Sequence, residues 1–108
     1  GLFPAKKNGK TGFVSESGTW VIPPQYEEVG NFSEKIASFK RGDSWGLISA
    51  DGRIITEPKW KEVKKFENGI AIAKTEDASL YLLNSSGELI SSSGFEKICR
   101  LKDGYLLV

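Results

Sequence analysis

The chain has 108 residues and 15 basic against 14 acidic side chains, so it has room for one small core and no global field that would attract nucleic acid. It has no histidine and one cysteine, Cys99, which removes Ser-His and Cys-His nucleophile pairs, an imidazole base, ordinary zinc sites and an internal disulfide. No apolar run reaches the roughly 18–20 residues of a membrane-crossing helix and no signal-peptide pattern is visible. A start at Gly1 and an end inside the apolar run Tyr105-Leu106-Leu107-Val108 suggest a piece of something longer, so the compartment stays unread.

The first predicted strand is Leu2-Phe3-Pro4-Ala5-Lys6, followed by a hairpin turn at Asn8-Gly9, where both residues tolerate positive φ. A second strand, Gly12-Phe13-Val14-Ser15, leads to a tight turn closed by Gly18, and a third strand covers Thr19-Trp20-Val21-Ile22. After Pro24 the apolar spacing changes to Tyr26, Val29 and Phe32. With proline just ahead and only about seven residues, this is too short for a stable helix. It reads as an extended or turn-rich connector with three anchors packed inward.

The same elements then recur about 34 residues on. Ile36–Lys40, Trp45–Ser49 and Arg53–Thr56 are strands, Gly52 closes the second turn, Pro58 precedes the connector, and Trp60, Val63 and Phe66 are its anchors. With one extra residue the pattern repeats again: strands Ile70–Lys74, Leu80–Asn84 and Glu88–Ser91, turn Gly87, and anchors Phe95, Ile98 and Leu101. The extra residue falls at Glu76-Asp77-Ala78-Ser79, which predicts a longer turn. The units are 1–34, 35–68 and 69–103, with a fourth beginning at 104–108, all in a single repeat domain. One unit cannot bury its apolar face alone, so neighbours must complete each core. The fold class is all-β, with tandem repeats of three short antiparallel strands plus a connector. They stack either as an open, solenoid-like array or as a closed, barrel-like ring.

Trp45-Gly46-Leu47-Ile48, Asp51-Gly52, Ile54-Ile55, Pro58-x-Trp60, Val63, Phe66 and Asn68-Gly69-Ile70-Ala71 together resemble the WG-repeat (KWG-repeat) family. The first unit keeps the frame with Thr11-Gly12, and the third departs from it, with Leu80-Tyr81 for Trp-Gly and Ser93 for the proline. The resemblance implies a bacterial β-rich repeat array found in many architectures, usually without known activity.

Little chemistry is on offer. The glycines stand singly at turn positions rather than in a phosphate-binding loop, and no cofactor is implied. The acid pairs Glu27-Glu28 and Glu76-Asp77 read as solvated residues. Repetition with apolar interchange marks Tyr26, Trp60 and Phe95, and Phe32, Phe66 and Leu101, as core. By the same argument Trp20, aligned with Ile54 and Leu89, is expected in the core. Trp45 is expected to pack across a unit boundary. The second unit alone is basic, with 8 basic and 5 acidic residues, and its excess lies in Lys59, Lys61, Lys64 and Lys65, between the anchors. These four lysines and Trp45 are the candidate binding residues. The expected function is a non-catalytic module for protein interaction or scaffolding. Its partners would be another protein or neighbouring repeats, as a monomer or by end-to-end association. A carbohydrate or cell-surface ligand module using Trp45 is the alternative. The small lysine patch, without interleaved exposed aromatics, argues against nucleic acid.

Overall fold

The computed structural model describes residues 1–90, 94–101 and 104–108, and within them every regular element is a strand. In the first unit β1 (Phe3–Lys7), β2 (Lys10–Val14) and β3 (Trp20–Tyr26) form an antiparallel sheet. The connector supplies a two-residue strand, β4 (Glu28–Val29), that joins the next sheet instead of its own. That sheet runs β4-β5-β6-β7, with β5 (Ile36–Arg41), β6 (Ser44–Ser49) and β7 (Ile54–Trp60). The pattern repeats with β8 (Glu62–Val63), β9 (Ile70–Lys74) and β10 (Leu80–Asn84). Finally, β11 (Ile98–Leu101) pairs with β12 (Gly104–Leu107). Among the described residues none of these sheets closes on itself.

The connector is therefore extended, as its proline and length require, and it is more than a return. Val29 pairs with Phe39 and Val63 with Ala73, so each unit lends an edge strand to its successor. The third strand also runs further than the apolar residues suggest, through Pro23-Pro24 to Tyr26 and through Pro58 to Trp60. Proline is tolerated there because these are outer strands whose lost N–H faces no ladder partner. In the third unit the described part of the expected strand Glu88–Ser91 is not a strand: Leu89 opposite Leu83 and Phe95 opposite Leu80 make isolated bridges only, though these keep the spacing of Trp20 and Tyr26 on Val14 and Thr11. Ser91, at the end of the expected third strand, and Ser93, in the proline position, lie outside the described residues.

The turns follow their residues. Asn8 and Gly9 both have positive φ and close a two-residue hairpin, as Asn-Gly favours. Gly18, Gly52 and Gly87 have φ of 84°, 90° and 80° at one repeated turn. The third unit's first turn is longer, as its extra residue predicts, with Thr75–Ser79 between the paired Lys74 and Leu80.

The sheets stack, and each core is built by two neighbouring units. One cluster joins Phe13, Ile22 and Tyr26 to Ala37, Phe39 and Ile48 of the next unit, with Val29 and Phe32 against it. The other joins Ile36, Leu47, Trp60 and Phe66 to Ala71, Ala73 and Leu83, with Trp45, Val63 and Tyr81 against it. Alternation along β5 and β6 explains this: Ala37, Phe39 and Ile48 face back, while Ile36 and Leu47 face forward. The anchors Tyr26, Trp60 and Phe66 are buried and Val29, Phe32 and Val63 are half-buried against the cores, as expected, whereas Phe95 and Ile98 are half-buried outside both core clusters. The side chain of Leu101 lies outside the described residues.

Trp20 is a correction. It is 36% exposed, as is Ile54, and Leu89 is 45% exposed. All three sit just after the turn glycine, Trp20 and Ile54 at the start of an outer strand and Leu89 at an isolated bridge, and Ile22, two residues further along β3, takes the core place expected of Trp20. Apolar identity at a repeated position signals a shared environment, and here that environment is surface.

Candidate functional site

Lys61, Lys64 and Lys65 lie on the connector of the second unit, whose backbone is held from behind by the third, and Lys59 lies next to the end of β7. The Lys61 N–H donates to the carbonyl of Lys74 at 2.8 Å, and the Lys64 N–H to that of Ile72 at 2.9 Å. Trp60 and Phe66 turn inward, and Lys59, Lys61, Lys64 and Lys65 are all exposed. The Lys59 ammonium lies 5.5 Å from the centre of the Trp60 ring, a cation–π distance. Lys64 and Lys65 border one small groove together with Gly30, Asn31 and Ser38. Lys64 also lines a larger groove of 410 Å³ with Glu62, Lys74 and Glu96, and Ile72, Leu80 and Ile98 form its apolar wall. Lys64 and Lys65 thus share a site, while Lys59 belongs to the Trp60 side.

Trp45 is elsewhere. Its backbone pairs with Trp60, and its ring packs half-buried against the core shared by the second and third units. This is the cross-boundary packing expected of it.

The acids are engaged in structure. Glu27 accepts from the Lys10 ammonium at 2.8 Å and from the Gly42 N–H at 3.0 Å, and both contacts hold its carboxyl below the usual range. Glu28 takes the Lys40 ammonium at 3.3 Å. Asp51 accepts from the Ser49 hydroxyl and the Arg53 N–H, and Asp77 from the Thr75 hydroxyl and the Ser79 N–H, which lowers both carboxyls. Burial raises the Tyr26 hydroxyl, with Arg41 over the ring opposing it. Among the described residues no group of three or more metal-ligating side chains converges.

The sequence reading missed a second surface feature, the exposed apolar residues Trp20, Val21, Ile54, Leu89 and Ile90, which follow the turn glycines. The signal is the alignment of Trp20, Ile54 and Leu89, a repeated apolar position that a core stripe would share.

Stacked antiparallel sheets with shared cores, a turn glycine in every unit and a proline bulge in the first two define a tandem β-repeat protein. The family model for WG-containing repeats matches residues 12–44 and 45–77, and the chain belongs to that family. No curated protein and no solved structure matches the chain.

Proposed function

We propose that this chain is a non-catalytic repeat module for protein interaction or scaffolding, carried by a larger bacterial protein as its family resemblance implies. The observation that carries the reading is the division of labour in each unit. Anchors and glycines are spent on stacking, Glu27, Glu28 and Asp51 on turns and lysine contacts, and among the described residues no three metal-ligating side chains converge on the surface that remains. In this reading the repeats stack as an open, solenoid-like array, in keeping with a longest axis of 43 Å, and Lys59, Lys61, Lys64 and Lys65 are exposed from the end of β7 into the connector that follows it. Such a patch suits an acidic protein surface. Trp45 gives its ring to the core, so the glycan reading gains nothing from it.

The test is affinity capture from a bacterial extract with the native chain and with a variant carrying Glu at positions 59, 61, 64 and 65, at two salt concentrations. A stoichiometric protein partner, lost in the variant and weakened by salt, is the expected result. Capture unaltered by the four substitutions would remove the lysines from the reading. Capture of no protein at all would remove the interaction role.

A further inference from the structure

We propose that Asn68 is a self-modification site, a residue that converts without an enzyme to aspartate and isoaspartate, and that the Glu34 carboxylate of the first unit holds this reaction back, independently of what the chain binds.

Asparagine followed by glycine carries the chemistry within itself. The backbone nitrogen of the glycine gives its proton to hydroxide and attacks the side-chain Cγ of the asparagine. An N–Cγ bond forms, the side-chain amide leaves as ammonia, and a cyclic succinimide results. Water then opens either of its carbonyls. One opening leaves aspartate; the other leaves isoaspartate, with the backbone rerouted through the side chain. Glycine favours the attack because no side chain crowds its nitrogen. The chain has two such dipeptides, Asn8-Gly9 and Asn68-Gly69.

Both stand at the centre of a two-residue hairpin, and their backbones match. Asn8 and Gly9 have φ of 54° and 81°, and Asn68 and Gly69 have φ of 53° and 79°. Lys7 pairs with Lys10 around the first turn, and Glu67 with Ile70 around the second. Both asparagines are exposed, and nothing lies within 4 Å of a Cβ built on either glycine, so crowding does not distinguish them. In the second turn the ladder bonds run between Glu67 and Ile70, which leaves the N–H groups of Asn68 and Gly69 over.

One carboxylate makes the difference. Glu34 accepts the Asn68 N–H at 2.6 Å with one oxygen and the Gly69 N–H at 2.7 Å with the other. Among the described residues no acceptor meets the Gly9 N–H. To react, the Gly69 nitrogen must lose its proton, and a negative charge beside it disfavours the anion that this leaves. The attack also needs rotation about the bond from Asn68 Cα to its carbonyl carbon, which swings the Gly69 N–H. Held with the Asn68 N–H on one carboxylate, it cannot swing without breaking a charge-assisted hydrogen bond. Glu34 is itself tied down, because the neighbouring Ser33 hydroxyl donates to the Phe66 carbonyl at 2.7 Å. The guard therefore lasts while these two turns stay joined, and conversion of Asn68 marks their separation permanently. The product keeps them apart. It puts a second carboxylate beside Glu34, and isoaspartate adds a backbone carbon between the two N–H groups that Glu34 holds.

The test incubates the chain at mildly alkaline pH and follows both sites by peptide mapping with mass spectrometry, which reads the exchange of NH2 for OH and separates the isoaspartyl peptide. Without any substitution, Asn8 should convert at least about tenfold faster than Asn68, the weight of one charge-assisted hydrogen bond. Glu34→Gln should bring Asn68 close to the rate of Asn8 and leave Asn8 unaltered. Equal rates at the two sites in the unsubstituted chain would overturn the proposal, and that comparison depends on no variant folding. An Asn68 rate unmoved by Glu34→Gln would overturn it too. So would acceleration of both sites together, which would assign the effect to general unfolding. Asn68→Asp supplies the aspartate product without the reaction and should speed amide exchange at Gly69. Exchange there as slow as in the unsubstituted chain would refute the release of the turn.

Discussion

The glycine of the Trp-Gly pair is set by the proline two residues before the next anchor. Between the partners of Trp45 and Leu47, β7 carries extra residues from Thr56 to Trp60, and this bulge folds over Gly46. A Cβ on Gly46 would stand 2.6 Å from the Thr56 carbonyl oxygen, 2.9 Å from the Pro58 nitrogen and 2.9 Å from the Phe39 ring. Gly12 meets Ile22 and Pro23 backbone in the same way. In the third unit Tyr81 takes the glycine's place and packs on Trp60 at 5.8 Å, and a glycine appears on the opposing segment instead: Gly94, where a Cβ would be 3.0 Å from Tyr81. Gly46→Ala should therefore destabilise by about 1–3 kcal/mol, measured by urea unfolding. A neutral result would refute the bulge argument. Ala78 is the converse case. It holds φ of 70° in a turn built like those of Gly18, Gly52 and Gly87, with Thr75 and Asp77 in the roles of Ser49 and Asp51. Ala78→Gly should raise stability by about 1 kcal/mol, read as a higher urea midpoint.

The lowered carboxyls give a pH dependence at this same scale. Glu27 and Asp51 titrate below their unfolded values in the fold, so their contribution is complete above the ordinary carboxylate range and is lost as pH falls through the lowered values. The urea midpoint should be flat from neutral pH to about pH 5 and fall below about pH 4. Glu27→Gln should flatten part of that fall; an identical profile would show that the Lys10 and Gly42 contacts contribute nothing.

At the scale of elements, the turn between connector and next strand holds one unit to another. Glu34 and Lys35 both have positive φ, at 54° and 68°, in a hairpin position where Asn68 and Gly69 follow the favoured sequence. The Glu34 carboxylate accepts the Asn68 N–H at 2.6 Å and the Gly69 N–H at 2.7 Å, and the Ser33 hydroxyl donates to the Phe66 carbonyl at 2.7 Å. One turn thus caps the next. Glu34→Ala should destabilise by about 1–3 kcal/mol and speed amide exchange at Asn68 and Gly69. Unaltered exchange at those two amides would contradict the capping role.

Much of this level was legible. The turn glycines, the Asn8-Gly9 hairpin, the longer third-unit turn and the inward anchors follow from residue types that few backbone conformations admit. What was not legible has physical reasons. The pairing of Glu28-Val29 with the next unit leaves no mark on a two-residue segment. The Glu34 cap joins equivalent turns 34 residues apart, and a glutamate there looks like any exposed acid. Trp20 looked like core because an exposed stripe repeated along a stack and a buried one have the same alternation in sequence. The lysine cluster was visible from charge alone, but not the partition that places Lys64 and Lys65 on one groove and Lys59 on the Trp60 ring.

At the scale of the whole molecule, the cores belong to joints rather than to units. Phe39 is fully buried and completes the core begun by Phe13, Ile22 and Tyr26, with its ring 4.7 Å from Tyr26. The molecule measures 43 × 28 × 18 Å, and the proposed open stack attributes its long axis to such joints following one another in one direction. Closing the ring would instead bring the first and last units together and hide both ends. Small-angle scattering extrapolated to zero concentration tests this most directly. The open stack predicts an elongated particle with one axis near 43 Å and a Cα radius of gyration near 14.4 Å. A near-spherical particle, with a radius of gyration at or below about 13 Å as expected for a compact chain of this length, would contradict it.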